Sequence, residues 1–290
     1  MSLPADCAPL APTPPTHLSP ADLWADIQAV RQQAPLVHSV TNFVVMNFNA
    51  NMLLAAGASP IMAHAVEEVP DMVAIAQAVA VNIGTLDAQW VPAMALALQT
   101  ARSLGKPAVL DPVGAGASAY RNRTLAYLLA RGKPSIIRGN ASEILSLAGM
   151  ASVSRGVDSA AASSDALHSA RALSEQFDCV VCVSGEQDYV LGPAGACAVL
   201  ANGHPWMTRV TGVGCSASAL VAAFAAVQPN AWRACTSAMG FLGVAGQLAA
   251  RRVAAQGGGV GSYAVALLDA VDQLSEADFL ATLVLQKDRS

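Results

Sequence analysis

The stretch TGVGCS at residues 211–216 decides the local fold, because it joins a glycine-rich turn to the small, apolar run 217–227. A glycine-rich turn that opens a helix leaves several backbone N–H groups without partners inside the helix. The aligned peptide dipoles add roughly half a positive charge at that end, which also favours a thiolate. The stretch therefore predicts a helix start that binds a phosphate or a developing oxyanion, with Cys215 beside it.

Upstream of this turn, short apolar runs alternate with longer helical stretches. This alternation is typical of βαβ units and a parallel sheet covered by helices on both faces. The sequence thus predicts a three-layer α/β/α fold with a mostly parallel central sheet. A hairpin at its edge and only helices after residue 215 complete the prediction. The predicted strands are 36–40, 60–63, 79–83, 108–110, 135–137, 179–183, 189–191 and 197–200.

Composition narrows the classes of function. Hydrophobic residues make up 54% of the 290 residues and charged residues only 12%, about half the usual share. A sheet covered on both faces and buried subunit contacts would both suit such a chain. The net charge of −4 argues against nucleic-acid binding, since no basic surface is present to neutralise phosphates. No apolar run is long enough to span a membrane.

The domain organisation is predicted to be simple. Residues 1–18 are rich in proline, lack the features of a signal peptide and are predicted to form a flexible tail. Residues 19–290 contain no convincing linker and are predicted to form a single domain. Six cysteines scattered through apolar segments are typical of reduced thiols in a cytoplasmic protein. Cys179 and Cys182 match the C-x-x-C spacing but lie in a β-branched run, which favours buried thiols on opposite faces.

Polar residues follow several predicted strands, at the sheet edge where ligands of open α/β proteins bind. Asp111 comes directly after one strand, where it could serve a ligand or simply bond the turn that follows. The glycines at 114 and 116 fit a degenerate dinucleotide fingerprint, but no acidic residue follows at the required distance. Asp111 is therefore a candidate functional carboxylate rather than evidence for NAD binding.

Two further strand ends carry candidates for phosphate and metal binding. Arg138 could hold a phosphate in a bidentate manner, and Glu143 could reach a magnesium ion. Asn140 and Glu143 are also spaced as a helix capping box, so a structural role explains the glutamate equally well. Ser184 could donate to a phosphate or merely stabilise a turn.

Taken together, these motifs resemble the hydroxyethylthiazole kinase family, which belongs to the ribokinase-like superfamily. The resemblance runs from about residue 35 to residue 262, and its separate motifs occur in the family's order. They are PLVHSVTN at 35–42, GASPIM at 57–62, NIGT at 82–85, DPVGAG at 111–116, RGNASEI at 138–144 and TGVGC at 211–215.

The resemblance implies ATP- and Mg²⁺-dependent phosphorylation of the hydroxyl of 4-methyl-5-(2-hydroxyethyl)thiazole, in thiamine biosynthesis or salvage. It also implies a homotrimer with active sites between subunits. Cys215 stands where many ribokinase-like enzymes carry an aspartate base, an exchange that the thiazole kinases share. The residues that it further implies are Arg138 and Ser184 for the nucleotide, Asp111 and Glu143 for magnesium, and Met62, Gly212 and Asn42 for the thiazole alcohol.

Three other functions remain open at this stage. Cys215 could be a covalent nucleophile for acyl transfer, with the turn as its oxyanion hole and His38, His64 or His204 as base. The chain could be a non-catalytic nucleotide-binding protein. It could also be a kinase for another small alcohol, because one sequence does not report the shape of the acceptor pocket.

Overall fold

A nine-stranded sheet forms the centre of the computed structural model, which describes residues 18–153 and 163–287. All but the last residue of the predicted tail lies outside the described residues. The sheet order is β2-β1-β3-β4-β5-β6-β7-β8-β9. The strands are β1 (Leu36–Val40), β2 (Ser59–Ile61), β3 (Ala78–Asn82), β4 (Ala108–Asp111), β5 (Ile136–Asn140), β6 (Val180–Ser184), β7 (Asp188–Leu191), β8 (Cys197–Leu200) and β9 (Leu285–Lys287).

Helices connect and cover these strands. The first helix shows why its boundary could be predicted: Ser19 caps it, Asp22 completes a capping box, and Pro20 occupies the first turn. The helices are α1 (Pro20–Gln33), α2 (Met46–Ala55), α3 (Val69–Ile75), α4 (Trp90–Ser103), α5 (Ala119–Arg131), α6 (Ala141–Val153), α7 (Ser163–Phe177), α8 (Val213–Val227), α9 (Ala231–Ala255), α10 (Val260–Gln273) and α11 (Glu276–Thr282).

The predicted fold class is confirmed. Strands β1 to β6 pair in parallel, and β6 to β9 pair antiparallel. Two hydrophobic clusters lie on opposite faces of the sheet, one built with α1, α2, α8, α9 and α10 and the other with α3 to α7. Successive residues of β3 alternate between them, Ala78 and Ala80 on one face and Val79 and Val81 on the other. Every residue of β3 is buried, as in a sheet covered on both sides.

Two predictions for the second half of the chain were wrong. The segment after residue 215 is not wholly helical, because Leu285–Lys287 forms β9 and pairs with β8. The hairpin of β7 and β8 forms as predicted, but β9 rather than β8 borders the sheet. Three residues are too few to show a period-two pattern, and the strand depends on a partner more than 80 residues away.

The cysteine prediction is confirmed for the C-x-x-C pair. Cys179 and Cys182 are buried free thiols that pack into different hydrophobic clusters, on opposite faces of the sheet. Within the described ranges, no helix is both long enough and apolar enough to cross a membrane.

Candidate functional site

The predicted site residues gather where the sequence pattern places them, at the carboxyl ends of the parallel strands. Asp111 ends β4 and Ser184 ends β6, while Arg138 lies in β5. Asn42 follows β1 and Met62 follows β2. Because parallel strands share one carboxyl edge, residues far apart in sequence meet there. Gly212 and Cys215 lie at the start of helix α8, at the same edge, and Glu143 lies in the first turn of α6, directly after β5.

Helix α8 begins as the opening stretch predicts. Gly212 precedes its first turn with φ +94°, a left-handed conformation that favours glycine. A Cβ atom at Gly212 would also come within 3.2 Å of Phe48 and Val45. The Ser216 amide closes the first turn on the Gly212 carbonyl at 2.8 Å. The amides before Ser216 therefore lie at the open end of the helix, where they suit an anion.

Arg138 joins this helix start to β6. Its guanidinium donates to the Gly214 carbonyl at 2.9 Å and to the Ser184 hydroxyl at 2.8 Å. Its third nitrogen, Nε, is buried and has no partner among the described residues. Burial disfavours the charged guanidinium, but Asp111 and other nearby carboxylates hold the pKa of Arg138 above its ordinary value. The site thus keeps a cation beside a helix start whose open amides suit an anion.

Asp111 lies at the centre of the site and is only 1% exposed. Asn82 Nδ2 and the Ser218 hydroxyl both donate to its Oδ2, at 2.7 and 2.8 Å. Burial raises the pKa of Asp111 to about 6, although the Arg138 charge and these two hydrogen bonds oppose the rise. The protein has therefore placed a carboxylate where its negative charge is poorly compensated.

Cys215 lies near the same carboxylate and is partly buried. Asn42 Nδ2 donates to its sulfur at 3.5 Å and to Asn82 Oδ1 at 2.8 Å. The helix field was expected to favour a thiolate, but burial and the Asp111 charge raise the pKa of Cys215, against the asparagine amides and Arg138. Burial thus opposes the thiolate that the helix field alone would favour.

Glu143 forms the capping box that its spacing suggests. The Asn140 side chain accepts from the Glu143 amide, and Glu143 Oε2 accepts from the Asn140 amide, both at 2.9 Å. Glu143 Oε1 accepts from the Gly114 amide at 2.9 Å, which ties α6 to the loop after β4. The structural role of Glu143 is thus established by its contacts. A carboxylate oxygen can accept more than one bond, so a role toward a metal ion stays a prediction.

Asn42 and Met62, both assigned to the thiazole alcohol, differ in their exposure to solvent. Asn42 is 4% exposed, whereas Met62 is partly exposed beyond the end of β2. Next to Met62, the His64 ring stacks on Trp90 with ring centres 4.0 Å apart, and Phe43 packs on the same tryptophan at 4.2 Å. An aromatic cluster therefore borders this side of the site.

Asp111 and Glu143 fit the chemistry of a magnesium ion. Both supply the hard oxygen ligands that Mg²⁺ prefers. The raised pKa of Asp111 shows that its charge is undercompensated, and a bound cation would relieve this. Among the described residues, no group of three or more His, Cys, Asp or Glu side chains forms a metal site. Two carboxylates and substrate phosphates are the ligand set that magnesium sites of phosphoryl-transfer enzymes use.

Sequence reasoning assigned no role to two residues of the site, Asn82 and Ser218. Asn82 ends β3 between the strands that carry Asn42 and Asp111, so its place in the sheet order was a usable signal. Ser218 lies three residues after Cys215, on the same face of α8. Both contact Asp111.

The three-layer arrangement around a mostly parallel sheet, with helix α8 starting at its carboxyl edge, places the chain among the ribokinase-like α/β folds. The solved Bacillus subtilis ADP/ATP-dependent NAD(P)H-hydrate dehydratase, co-crystallised with ATP/Mg²⁺, has a similar fold, with a TM-score of 0.52 over 83% of this chain and 90% of that one. At 11% identity this likeness concerns the fold alone.

Closer similarities define the family. The family model described as "Hydroxyethylthiazole kinase family" matches residues 27–277, and the chain belongs to this family. It is 61% identical to the hydroxyethylthiazole kinase of Leptothrix cholodnii over 92% of this chain and 96% of that protein. It is 38% identical to the solved hydroxyethylthiazole kinase protein of Pyrococcus horikoshii, with a TM-score of 0.81 over 91% of this chain and 98% of that one.

Proposed function

We propose that the chain is an ATP-dependent kinase that phosphorylates the hydroxyl of 4-methyl-5-(2-hydroxyethyl)thiazole, in thiamine biosynthesis or salvage. The observation that carries the proposal is the position of Arg138, whose guanidinium bridges Ser184 and the first turn of α8. A phosphate placed there would meet a cation and open helix amides together. Family membership supports the choice of acceptor.

Arg138, Ser184 and the start of α8 form the nucleotide side of the proposed site. Phosphoryl transfer requires mainly positioning and neutralisation of charge, with little covalent chemistry by the protein. The amides at 213–215 stabilise the phosphoryl group during transfer, and the unpartnered Arg138 Nε is a further donor within the site.

Asn42, Met62 and Gly212 form the acceptor side. The hydroxyl oxygen of the alcohol attacks the γ-phosphorus of ATP, the bond to the bridging oxygen of ADP breaks, and Cys215 thiolate takes the hydroxyl proton. The raised pKa of Cys215 makes the thiolate a minor species at neutral pH. General-base help of this kind is worth about 10²–10⁴-fold, less than the electrostatic contribution usual at such sites.

Asp111 and Glu143 are proposed to hold Mg²⁺. The bound ion would neutralise phosphate charge and help orient the triphosphate. Asp111 contributes an undercompensated charge for this purpose, while Glu143 is held in place by its two backbone contacts.

A homotrimer with active sites between subunits is also proposed. Phe43 and Val44, directly after Asn42, are 59% and 62% exposed, and Val66 near the same edge is 40% exposed. Apolar side chains bordering an acceptor pocket suit a subunit contact that closes the pocket. We further propose a cytoplasmic protein in which residues 19–290 act as one kinase domain.

The test is direct. The purified protein is incubated with ATP, Mg²⁺ and a panel of vitamin-precursor alcohols, and both ADP and the phosphorylated product are measured. We expect product with the thiazole alcohol. Activity only with a pyrimidine alcohol or a sugar would overturn the acceptor assignment.

Two Cys215 variants separate the kinase from a cysteine-nucleophile enzyme. Cys215→Ala should retain measurable kinase activity, and Cys215→Asp should keep or raise it, because a carboxylate can accept the same proton. A covalent nucleophile would not survive either change. In the described part of the chain no hydrogen bond joins a histidine to Cys215; His38 bonds the Ala63 carbonyl instead.

A further inference from the structure

A chain of side-chain amides links the two functional ends of the site, from Asp111 to Cys215. Asn82 Nδ2 donates to Asp111 Oδ2 at 2.7 Å, and Asn82 Oδ1 accepts from Asn42 Nδ2 at 2.8 Å. Asn42 Nδ2 also donates to the Cys215 sulfur at 3.5 Å, and the Asn82 amide interacts with the same sulfur. Both asparagines are 4% exposed, so solvent does not compete strongly for these groups.

The direction of this chain is fixed by backbone groups. The Gly84 amide donates to Asn82 Oδ1 at 2.9 Å, and the Val44 amide donates to Asn42 Oδ1 at 3.2 Å. Each backbone N–H requires an oxygen, so neither side-chain amide can be turned round without losing a bond. A carboxylate accepts only, which imposes the same direction on Asn82 from the Asp111 end. The amide that reaches Cys215 is therefore a donor.

The surrounding loop is shaped to hold this arrangement. A Cβ atom at Gly84 would lie 2.5 Å from Asn42 Nδ2, so only glycine leaves room for the asparagine. The Arg121 guanidinium donates to the carbonyls of Ile83 and Gly84 and holds the loop after β3. The Thr85 hydroxyl accepts from the Phe43 amide at 3.0 Å, which ties this loop to the one after β1.

We propose that Asn82 is a positioning residue, which holds the Asn42 side chain so that its amide N–H points at the Cys215 sulfur. A thiol is a weak hydrogen-bond acceptor and a thiolate a stronger one, so a fixed donor favours the form that accepts a proton. The use of this device in catalysis rests on the function proposed above. The orientation itself does not, and it can be tested without substrates.

The test measures how fast iodoacetamide alkylates Cys215 at pH 8, with no nucleotide or alcohol present, by mass spectrometry of the peptide that contains it. Asn82→Leu removes the three hydrogen bonds that join Asn82 to Asp111, Asn42 and the Gly84 amide, at similar side-chain size. Alkylation should become about tenfold slower, because a hydrogen bond to a charged group is worth at least one factor of ten. If the leucine variant does not fold, Asn82→Ala is used instead, and its alkylation rate should fall in the same way.

The sign of the change distinguishes positioning from loss of structure. Local loosening exposes a partly buried thiol and speeds its alkylation, whereas loss of the oriented donor slows it. Asn49→Leu is the matched control: Asn49 is 1% exposed and bonds Ser216 and Thr41, and within the described ranges no hydrogen bond joins it to Cys215. We expect Asn49→Leu to leave the alkylation rate unchanged or to raise it.

Unchanged or faster alkylation in Asn82→Leu would overturn the inference. In the kinase assay, Asn82→Leu should lower kcat about tenfold and leave the KM for ATP within about twofold. Slower alkylation in a protein that phosphorylates no alcohol would support the positioning role while refuting the proposed function. A normal alkylation rate in Asn82→Leu, in a protein that phosphorylates the thiazole alcohol, would refute the positioning role while supporting the proposed function.

Discussion

Two buried aspartates, Asp26 and Asp111, differ in how many hydrogen bonds their carboxylates accept from the protein. Asp26 on α1 is 4% exposed and accepts two hydrogen bonds on each oxygen, from Gln228, Ser237 and both Nε and a terminal nitrogen of Arg233. Asp111 accepts only on Oδ2, from two neutral donors, in the part of the chain that the structure describes.

The two arginines differ in the same way. Arg233 directs its guanidinium at Asp26, with Nε to Oδ2 at 2.8 Å. Arg138 lies near Asp111 but donates to a backbone carbonyl and a serine instead. A buried charge that the protein satisfies itself joins α1 to α9. The undersatisfied charge of Asp111 suits the cation proposed for this site, and hydrogen-bond satisfaction thus distinguishes the two aspartates more clearly than burial does.

The largest expected effect is on catalysis. Asp111→Asn should lower kcat about a thousandfold, because the amide can still accept from Asn82 and Ser218 but carries no charge to offset that of a cation. Steady-state kinetics at saturating ATP and Mg²⁺ measure this. Asp26→Asn is the control and should keep kcat within about twofold. Comparable losses in both variants would erase the distinction between the two carboxylates.

The next effect is on stability against pH. The folded pKa of Asp111, about 6, lies above its ordinary value of 3.8, so the folded state keeps a proton that the unfolded state has lost between these values. The wild type should therefore lose stability relative to Asp111→Asn as pH rises from about 4 to 6, by about 3 kcal/mol in all.

Denaturant unfolding of both proteins at intervals from pH 4 to 7.5 measures this difference. Burial also raises the pKa of Asp188 to about 6, but that contribution is common to both proteins and cancels. Added Mg²⁺ at pH 7.5 should stabilise the wild type and not the variant. A stability difference that does not change with pH would show that Asp111 is compensated after all.

A smaller effect is expected at the other carboxylate. Asp26→Asn should lower the free energy of unfolding by about 2 kcal/mol, because Arg233 loses the nearer of its two charged partners on α1 and keeps Asp22 at 3.3 Å. The Arg233 side chain is 22% exposed, so water softens the loss. Urea unfolding at pH 7 measures the loss of stability, and added Mg²⁺ should not restore the lost stability. Unchanged stability would mean that the network contributes nothing net.

The contrast also explains what the sequence could reveal. Asp111, Arg138 and Ser184 could be predicted as neighbours because each lies at the carboxyl end of a parallel strand, and that edge is common to all of them. The start of α8 could be predicted because its glycines and the apolar run after it are contiguous. Contiguous motifs and residues at strand ends can therefore be recognised in a single sequence.

Contacts made by packing were out of reach. Asp26 meets Arg233 across 207 residues, between two helices whose relative placement no local pattern records. The raised pKa of Cys215 could not be predicted for a related reason, since burial at a helix start depends on what packs over it. Strand β9 depends on β8 in the same manner.

The smallest effects compare two serines, of which Ser184 contacts Arg138 and Ser237 contacts Asp26. Ser184→Ala removes one of the two hydrogen-bond partners of Arg138, so the KM for ATP should rise about threefold to tenfold at nearly constant stability. Ser237→Ala removes a 2.7 Å donor to Asp26 and should cost about 1 kcal/mol of unfolding free energy with unchanged KM. Kinetics and urea unfolding of both variants test the pair together. Each serine reports on the arginine or aspartate that it contacts. A loss of stability alone in Ser184→Ala, or of ATP affinity alone in Ser237→Ala, would contradict the assignment of Arg138 to binding and of Arg233 to structure.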